Sequence, residues 1–189
     1  MRHRKPALLV ALVCGVALAL SGCVSYPSSQ EETVLPKISL AEARTTQNDE
    51  LARFRQFVSY DIIVKDYGVS PPSEAMSCNV LDSQPITPDS GVQLAGSWRA
   101  LTPAETNLEQ LLSEIRAAYD AKPGWNTQVG DLPNDPLPST LVIVTSPENY
   151  KYYVRVDTEP NGEGLKEVSV SSFSPCVETP DDFDIDARY

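Results

Sequence analysis

Four cysteines, Cys14, Cys23, Cys78 and Cys176, and one histidine, His3, have the widest chemical reach in this 189-residue chain. A thiolate can attack, ligate a metal, accept a lipid or close a disulfide, and its surroundings select among these. His3 stands in the basic stretch Met1-Arg2-His3-Arg4-Lys5, ahead of a run from Pro6 to Leu20 that is nearly all Ala, Leu and Val. A charged start followed by a short apolar core is the layout of an export signal. A spanning helix would want about 20 apolar residues. Once such a signal is removed no histidine remains. Ser-His-Asp and Cys-His nucleophiles are then excluded, as are zinc sites built on His, H-E-x-x-H included. A Ser-Lys pair stays open, with Lys65, Lys122, Lys151 and Lys166 available, although no S-x-x-K occurs.

The run ends in Leu20-Ser21-Gly22-Cys23. This segment resembles the lipobox of bacterial lipoproteins, a Leu and two small residues before a Cys. In that family a diacylglyceryl group is joined to the Cys sulfur and a dedicated peptidase cuts just before it. The resemblance implies that residues 1–22 are a signal peptide and that Cys23 is the lipid attachment site. It also implies a membrane partner and an extracytoplasmic location. The competing arrangement is an uncleaved anchor with an incidental Cys. One acyl chain holds a protein marginally and two hold it stably, at about 0.8 kcal/mol per buried CH₂. Cys14 has no such box and is expected to leave with the signal. The remainder resembles the small, acidic, two-cysteine lipoproteins of actinobacteria, which implies an anchored domain and no particular substrate.

Cys78 and Cys176 are then the remaining thiols, 98 positions apart. Outside the cytoplasm disulfides form and persist, so a Cys78–Cys176 bridge is expected. It would tie the loop after the first helix to the end of the last strand. A loop near 100 residues is worth about 4.7 kcal/mol in the chain-entropy model. A two-thiol metal site would need further ligands, and a catalytic thiolate a basic partner. No metal or cofactor is expected.

The chain carries 15 basic and 26 acidic residues. The signal holds Arg2, Arg4 and Lys5 and no acid, so its removal deepens the negative charge. That balance argues against nucleic acid and against docking on anionic lipid. Asp157-Thr158-Glu159-Pro160-Asn161-Gly162 starts like an EF-hand loop, but its twelfth position is Val168 rather than a bidentate Glu; a hairpin turn is expected. Asp181, Asp182, Asp184 and Asp186 read as an acidic, solvated and frayed tail over 179–189. Carboxylate pairs for glycoside hydrolysis have no spacing test in sequence alone.

These residues need a scaffold. Residues 23–37 read as a flexible tether and 38–178 as one domain. A first helix is predicted from Ser39, which has capping-box spacing to Glu42. Its buried face is Leu40, Ala43, Leu51, Phe54 and Val58, with Glu50, Arg53 and Arg55 toward water. Tyr60–Val64 is a candidate short strand. Residues 66–91 read as a Pro- and Ser-rich connection, and Val92–Trp98 as a weakly alternating strand. A second helix is predicted with Thr102 as N-cap, Pro103 at its first position and Glu105 completing the box. It would bury Leu108, Leu111, Leu112, Ile115, Ala118 and Tyr119 and stop at Pro123-Gly124. Residues 126–139 read as a loop. Three strands follow, Leu141–Thr145, Tyr150–Val156 and Leu165–Phe173. The short turns between them imply an antiparallel meander. Helices with one apolar face must cover one face of that sheet, so the fold class is α+β, a two-layer sandwich with both helices on one face.

On the middle strand Lys151, Tyr153 and Arg155 alternate with Tyr152, Val154 and Val156. If helices cover one face, Lys151, Tyr153 and Arg155 form a ligand surface on the other. The expected function is a membrane-anchored, non-enzymatic module binding an envelope protein or a small ligand. The alternative is a cell-wall hydrolase using carboxylates or a Ser-Lys pair. Close carboxylates in a cleft would favour the enzyme, and a shallow aromatic patch the module.

Overall fold

The computed structural model describes residues 35–78, 86, 90–130 and 139–189. The segment expected to be an export signal, the lipobox-like Leu20-Ser21-Gly22-Cys23 included, lies outside the described residues. No helix among the described residues is long and apolar enough to cross a membrane.

The elements run α1 (Leu40–Gln56), β1 (Lys65–Val69), β2 (Met76–Ser77), β3 (Val92–Gln93), β4 (Ala95–Pro103), α2 (Leu108–Asp120), β5 (Asn126–Gly130), β6 (Ser139–Thr145), β7 (Lys151–Asp157) and β8 (Leu165–Phe173). Six strands form one antiparallel sheet in the order β1-β4-β8-β7-β6-β5, while β2 and β3 pair separately. The last three strands form the expected meander, with Val154 opposite both Val142 and Val170. Helix α1 packs on β1, β4 and β8, and α2 on β5, β6 and β7. The fold is therefore α+β, a sheet with two helices on one face. Alternation decides which face: Trp98, Ala100, Val168, Val170, Tyr152, Val154, Val142 and Val144 are all buried under the helices.

Helix α1 starts as the sequence predicts, with the Ser39 hydroxyl accepting the Glu42 N–H at 3.1 Å. Its apolar stripe then divides. Leu51, Phe54 and Val58 enter the main core, whereas Leu40 and Ala43 enter a second cluster with Ala75, Val92, Leu94 and Val177. Glu50 departs from the expectation. It is buried, because its carboxylate accepts from Tyr119, Lys122 and Arg53. Arg55 is also drawn from solvent, donating to Asp66 at 2.7 Å.

Helix α2 begins later than its apparent box. Thr102 and Pro103 complete β4, paired with Lys166 and Leu165. The cap is Asn107, whose side chain accepts from the Gln110 N–H at 3.0 Å, the same capping geometry five residues on. The Thr102 and Pro103 cues lost to the sheet ladder.

Five further differences concern edges and the tail. Tyr60–Ile62 is a 3-10 turn rather than a strand, and strand pairing begins at Lys65. The stretch 66–91 is not all connection: it holds most of β1, and β2. Val92–Trp98 is not one strand, because pairing switches at Leu94 from β2 to the main sheet. Part of 126–139 is β5, an edge strand that turns only Thr127 inward. The tail is not frayed. Phe183 and Tyr189 stack at 5.8 Å and pack on the second cluster, and the Tyr189 N–H reaches the Ser73 carbonyl.

Candidate functional site

The face of the sheet away from the helices carries the side chains of opposite parity. In register across β4, β8, β7 and β6 stand Ser97, Ser171, Tyr153 and Ile143. The neighbouring rows place Arg99, Ser169 and Arg155 on one side, and Phe173 and Lys151 on the other. Same-face neighbours lie about 5 Å apart across strands and about 7 Å apart along them. The fold therefore brings Lys151, Tyr153 and Arg155 to one surface and adds Phe173 beside them. The Tyr153 and Phe173 rings meet edge to face, with centroids 5.6 Å apart at 89°, the geometry that aromatic quadrupoles favour.

The cations of this face differ in engagement. Arg155 Nη2 lies 3.4 Å from Asp157 Oδ1, and the buried Asp157 also accepts the Glu167 N–H. Arg99 lies over the Tyr67 ring at 4.1 Å and 3.9 Å from Glu167. Lys151 is exposed.

Toward the β4 end the face deepens into a groove of about 750 Å³. Its floor includes Ser97, Ser171 and Phe173; Pro71, Pro72 and Arg188 contribute to its rim. The segment after β1 forms a strap along β4. Ser70 N–H donates to the Ser97 carbonyl, Ser97 N–H donates to Ser70 Oγ, and Ser73 Oγ reaches the Ala95 carbonyl. Phe173, Ser97 and Ser171 were recoverable from strand parity once β4 and β8 were known to pair. Arg188 had no sequence signal, since the tail's course depends on tertiary packing.

The other chemistry-bearing residues hold the fold together. Cys78 and Cys176 are bridged, with Cα atoms 6.0 Å apart. Glu50 is enclosed by Tyr119, Lys122 and Arg53, the last at 2.5 Å. Burial first, then the Glu50 carboxylate, pushes the Tyr119 phenol well above its ordinary range, so it stays a donor at neutral pH. Asn161 Oδ1 accepts the Glu163 and Leu165 N–H groups, which makes the Asp157–Gly162 stretch the start of a hairpin turn. Arg44 is buried on α1, donating to Gln47 and to the Ala95 carbonyl, and burial lowers its pKa. Among the described residues no group of three or more His, Cys, Asp or Glu could hold a metal ion.

No family model matches the chain. No curated protein matches it. Among solved structures it is similar to a DUF4853 family protein from Actinomyces odontolyticus ATCC 17982, at 15% identity and a TM-score of 0.48, over 81% of this chain and 77% of that one.

Proposed function

We propose that this protein is a lipid-anchored, extracytoplasmic binding module that holds an envelope ligand on the face of its sheet opposite the described helices. The observation that carries the reading is the edge-to-face Tyr153–Phe173 pair beside exposed Lys151 on a rigid strand framework. Ligand sites combine apolar or aromatic surface with a few polar groups, and well-supported strands hold them in place. Two buried carboxylates, Glu50 and Asp157, are each engaged by cations of the fold, which favours binding over carboxylate catalysis. The anchor rests on Leu20-Ser21-Gly22-Cys23 and on the signal layout before it.

The test is photo-crosslinking of the full chain in its native envelope, with the reactive side chain placed at Tyr153 or, as a control, at Glu109 on exposed α2. A discrete adduct at 153 and none at 109 supports the module. No adduct at 153, or the same adducts at both, overturns it. In parallel Cys23→Ala should abolish labelling by radioactive fatty acid; retained labelling would remove the anchor from the proposal.

A further inference from the structure

We infer that the groove and the adjoining Tyr153 row take an acidic glycan, an extended sugar polymer bearing carboxylate or phosphate groups. This names the ligand chemistry of the face proposed above and rests on that reading.

Three observations converge. The small hydroxyl side chains of Ser97 and Ser171 line the groove together with Phe173, and Tyr153 stands opposite Ser171 on the next strand. A pyranose presents a C–H face that packs on aromatic rings, and a rim of hydroxyls that exchange hydrogen bonds with serines. The groove's volume, about 750 Å³, lies within the range of ligand clefts, and its continuation along the Ser171–Tyr153 row suits an extended chain.

The second observation is charge. The chain as a whole carries −11, yet this face places Lys151 at one end of the Phe173 row and Arg188 at the groove. Both are exposed, and neither makes an ion pair among the described residues. Arg99 and Arg155 stand one row away, each with an acid nearby. Glu74 also lines the groove, as an acceptor for sugar hydroxyls. In an acidic protein two unpaired cations flanking one aromatic platform complement an anionic ligand.

The third observation argues against an extended peptide. Peptides that add to sheets bond to exposed backbone at an edge. Here the strap has already taken the Ser97 N–H, the Ser97 carbonyl and the Ala95 carbonyl. Strand addition at Ser97 is therefore closed, and the side chains that line the groove include Phe173, the hydroxyls of Ser97 and Ser171, Glu74 and the cation Arg188.

The test uses the full chain in neutral detergent micelles. Polygalacturonate is the acidic glycan, dextran the neutral one, polyglutamate the acidic peptide, and phosphatidylglycerol vesicles the anionic lipid. Saturable binding of polygalacturonate, at least about tenfold tighter than dextran or polyglutamate, is expected. The double variant Lys151→Glu/Arg188→Glu should weaken it about tenfold or more, and Phe173→Ala should weaken it too. Arg116→Glu on the exposed face of α2 should leave it unchanged. Thermal melts of each variant check folding, and Arg188→Glu alone serves if the double variant is unstable. Equal binding of polyglutamate or of the vesicles, or binding untouched by these substitutions, overturns the inference. If the Tyr153 crosslink persists while polygalacturonate does not bind, the glycan fails and the binding module stands. If both are absent, both fail.

Discussion

Among the described residues the domain contains two hydrophobic clusters that are stabilised differently. Under the helices, 18 buried side chains fill the space between α1, α2 and the sheet. At the N-terminal end of α1 a satellite of six, Leu40, Ala43, Ala75, Val92, Leu94 and Val177, sits below β2 and β3. The first cluster buries enough apolar surface to hold its elements by itself. The second joins two-residue strands and loop segments, which bury too little to offset their own ordering entropy. It is fastened by other means. The Cys78–Cys176 bridge crosses it, Val92 and Val177 exchange both backbone hydrogen bonds, and the Phe183–Tyr189 stack covers it. Where burial is scarce, covalent and backbone links substitute for it, as in small secreted domains.

The contrast breaks most sharply at Phe54. Its ring is fully buried, stacked on Tyr119 at 4.7 Å and tilted against Tyr152 at 5.2 Å. Phe54→Ala should cost about 4 kcal/mol, seen as a lower urea midpoint at unchanged slope. The loss should be global, with amide protection falling together in β4, β6, β7 and β8. A loss confined to α1 would mean that the sandwich is not one cooperative unit.

Cys176→Ser should cost about 3 kcal/mol, and its signature should be local. Exchange protection at Val92, Leu94 and Val177 should collapse first, while the Lys151–Asp157 ladder keeps its own. A uniform loss would erase the distinction between the clusters.

Within the main core, the polar clasp of Glu50 joins α1 to α2. Tyr119→Phe removes one donor to the buried carboxylate and leaves Lys122 Nζ at 3.3 Å and Arg53 at 2.5 Å. The expected cost is about 1–2 kcal/mol, read by chemical denaturation. No measurable change would show that the two cations alone satisfy Glu50.

The same contrast explains what the sequence disclosed. The meander was legible because Tyr152, Val154 and Val156 alternate with Lys151, Tyr153 and Arg155, and short turns leave only antiparallel pairing. The bridge was legible from the count of cysteines and from the compartment that the lipobox resemblance implies. Glu50 was misplaced because polarity was equated with exposure, although it lies on the helical stripe between Gln47 and Phe54, two other buried positions. The edge strands β1 and β5 were invisible for a physical reason. An edge strand is blunted by charge, glycine and exposure, so Lys65–Val69 is exposed throughout and Gly68 takes a φ of 71°. The face away from the helices was legible for β7 alone. Adding Phe173, Ser171 and Arg99 required knowing that β8 and β4 lie next to it in register, which long-range pairing decides.

The smallest effect separates the clusters by pH. Asp66 on β1 ties the sandwich edge to its core. Burial works to raise its pKa, but the Gly68 N–H, Arg55 and the Trp98 indole together outweigh it, and the carboxyl ends below its ordinary value. Trp98 is fully buried, and its Nε1–H donates to Asp66 Oδ1 at 2.9 Å. Because the folded pKa is depressed, the stabilisation is present above the unfolded value near about 3.9 and is lost as pH falls through the folded one. With the side chain 27% exposed, solvent screening limits the effect to about 1 kcal/mol. The satellite's ion pair, Lys37–Glu178 at 3.2 Å, is far more exposed and should contribute less. Between about pH 5 and pH 2, stability measured by denaturant should therefore fall more steeply for the native chain than for Asp66→Asn, whose side chain cannot titrate. Trp98 fluorescence should change before protection is lost at Val92 and Val177. If the satellite loosens first, acid acts through the tail and not through the β1 edge, and the assignment of Asp66 as the sandwich's acid-sensitive tie is wrong.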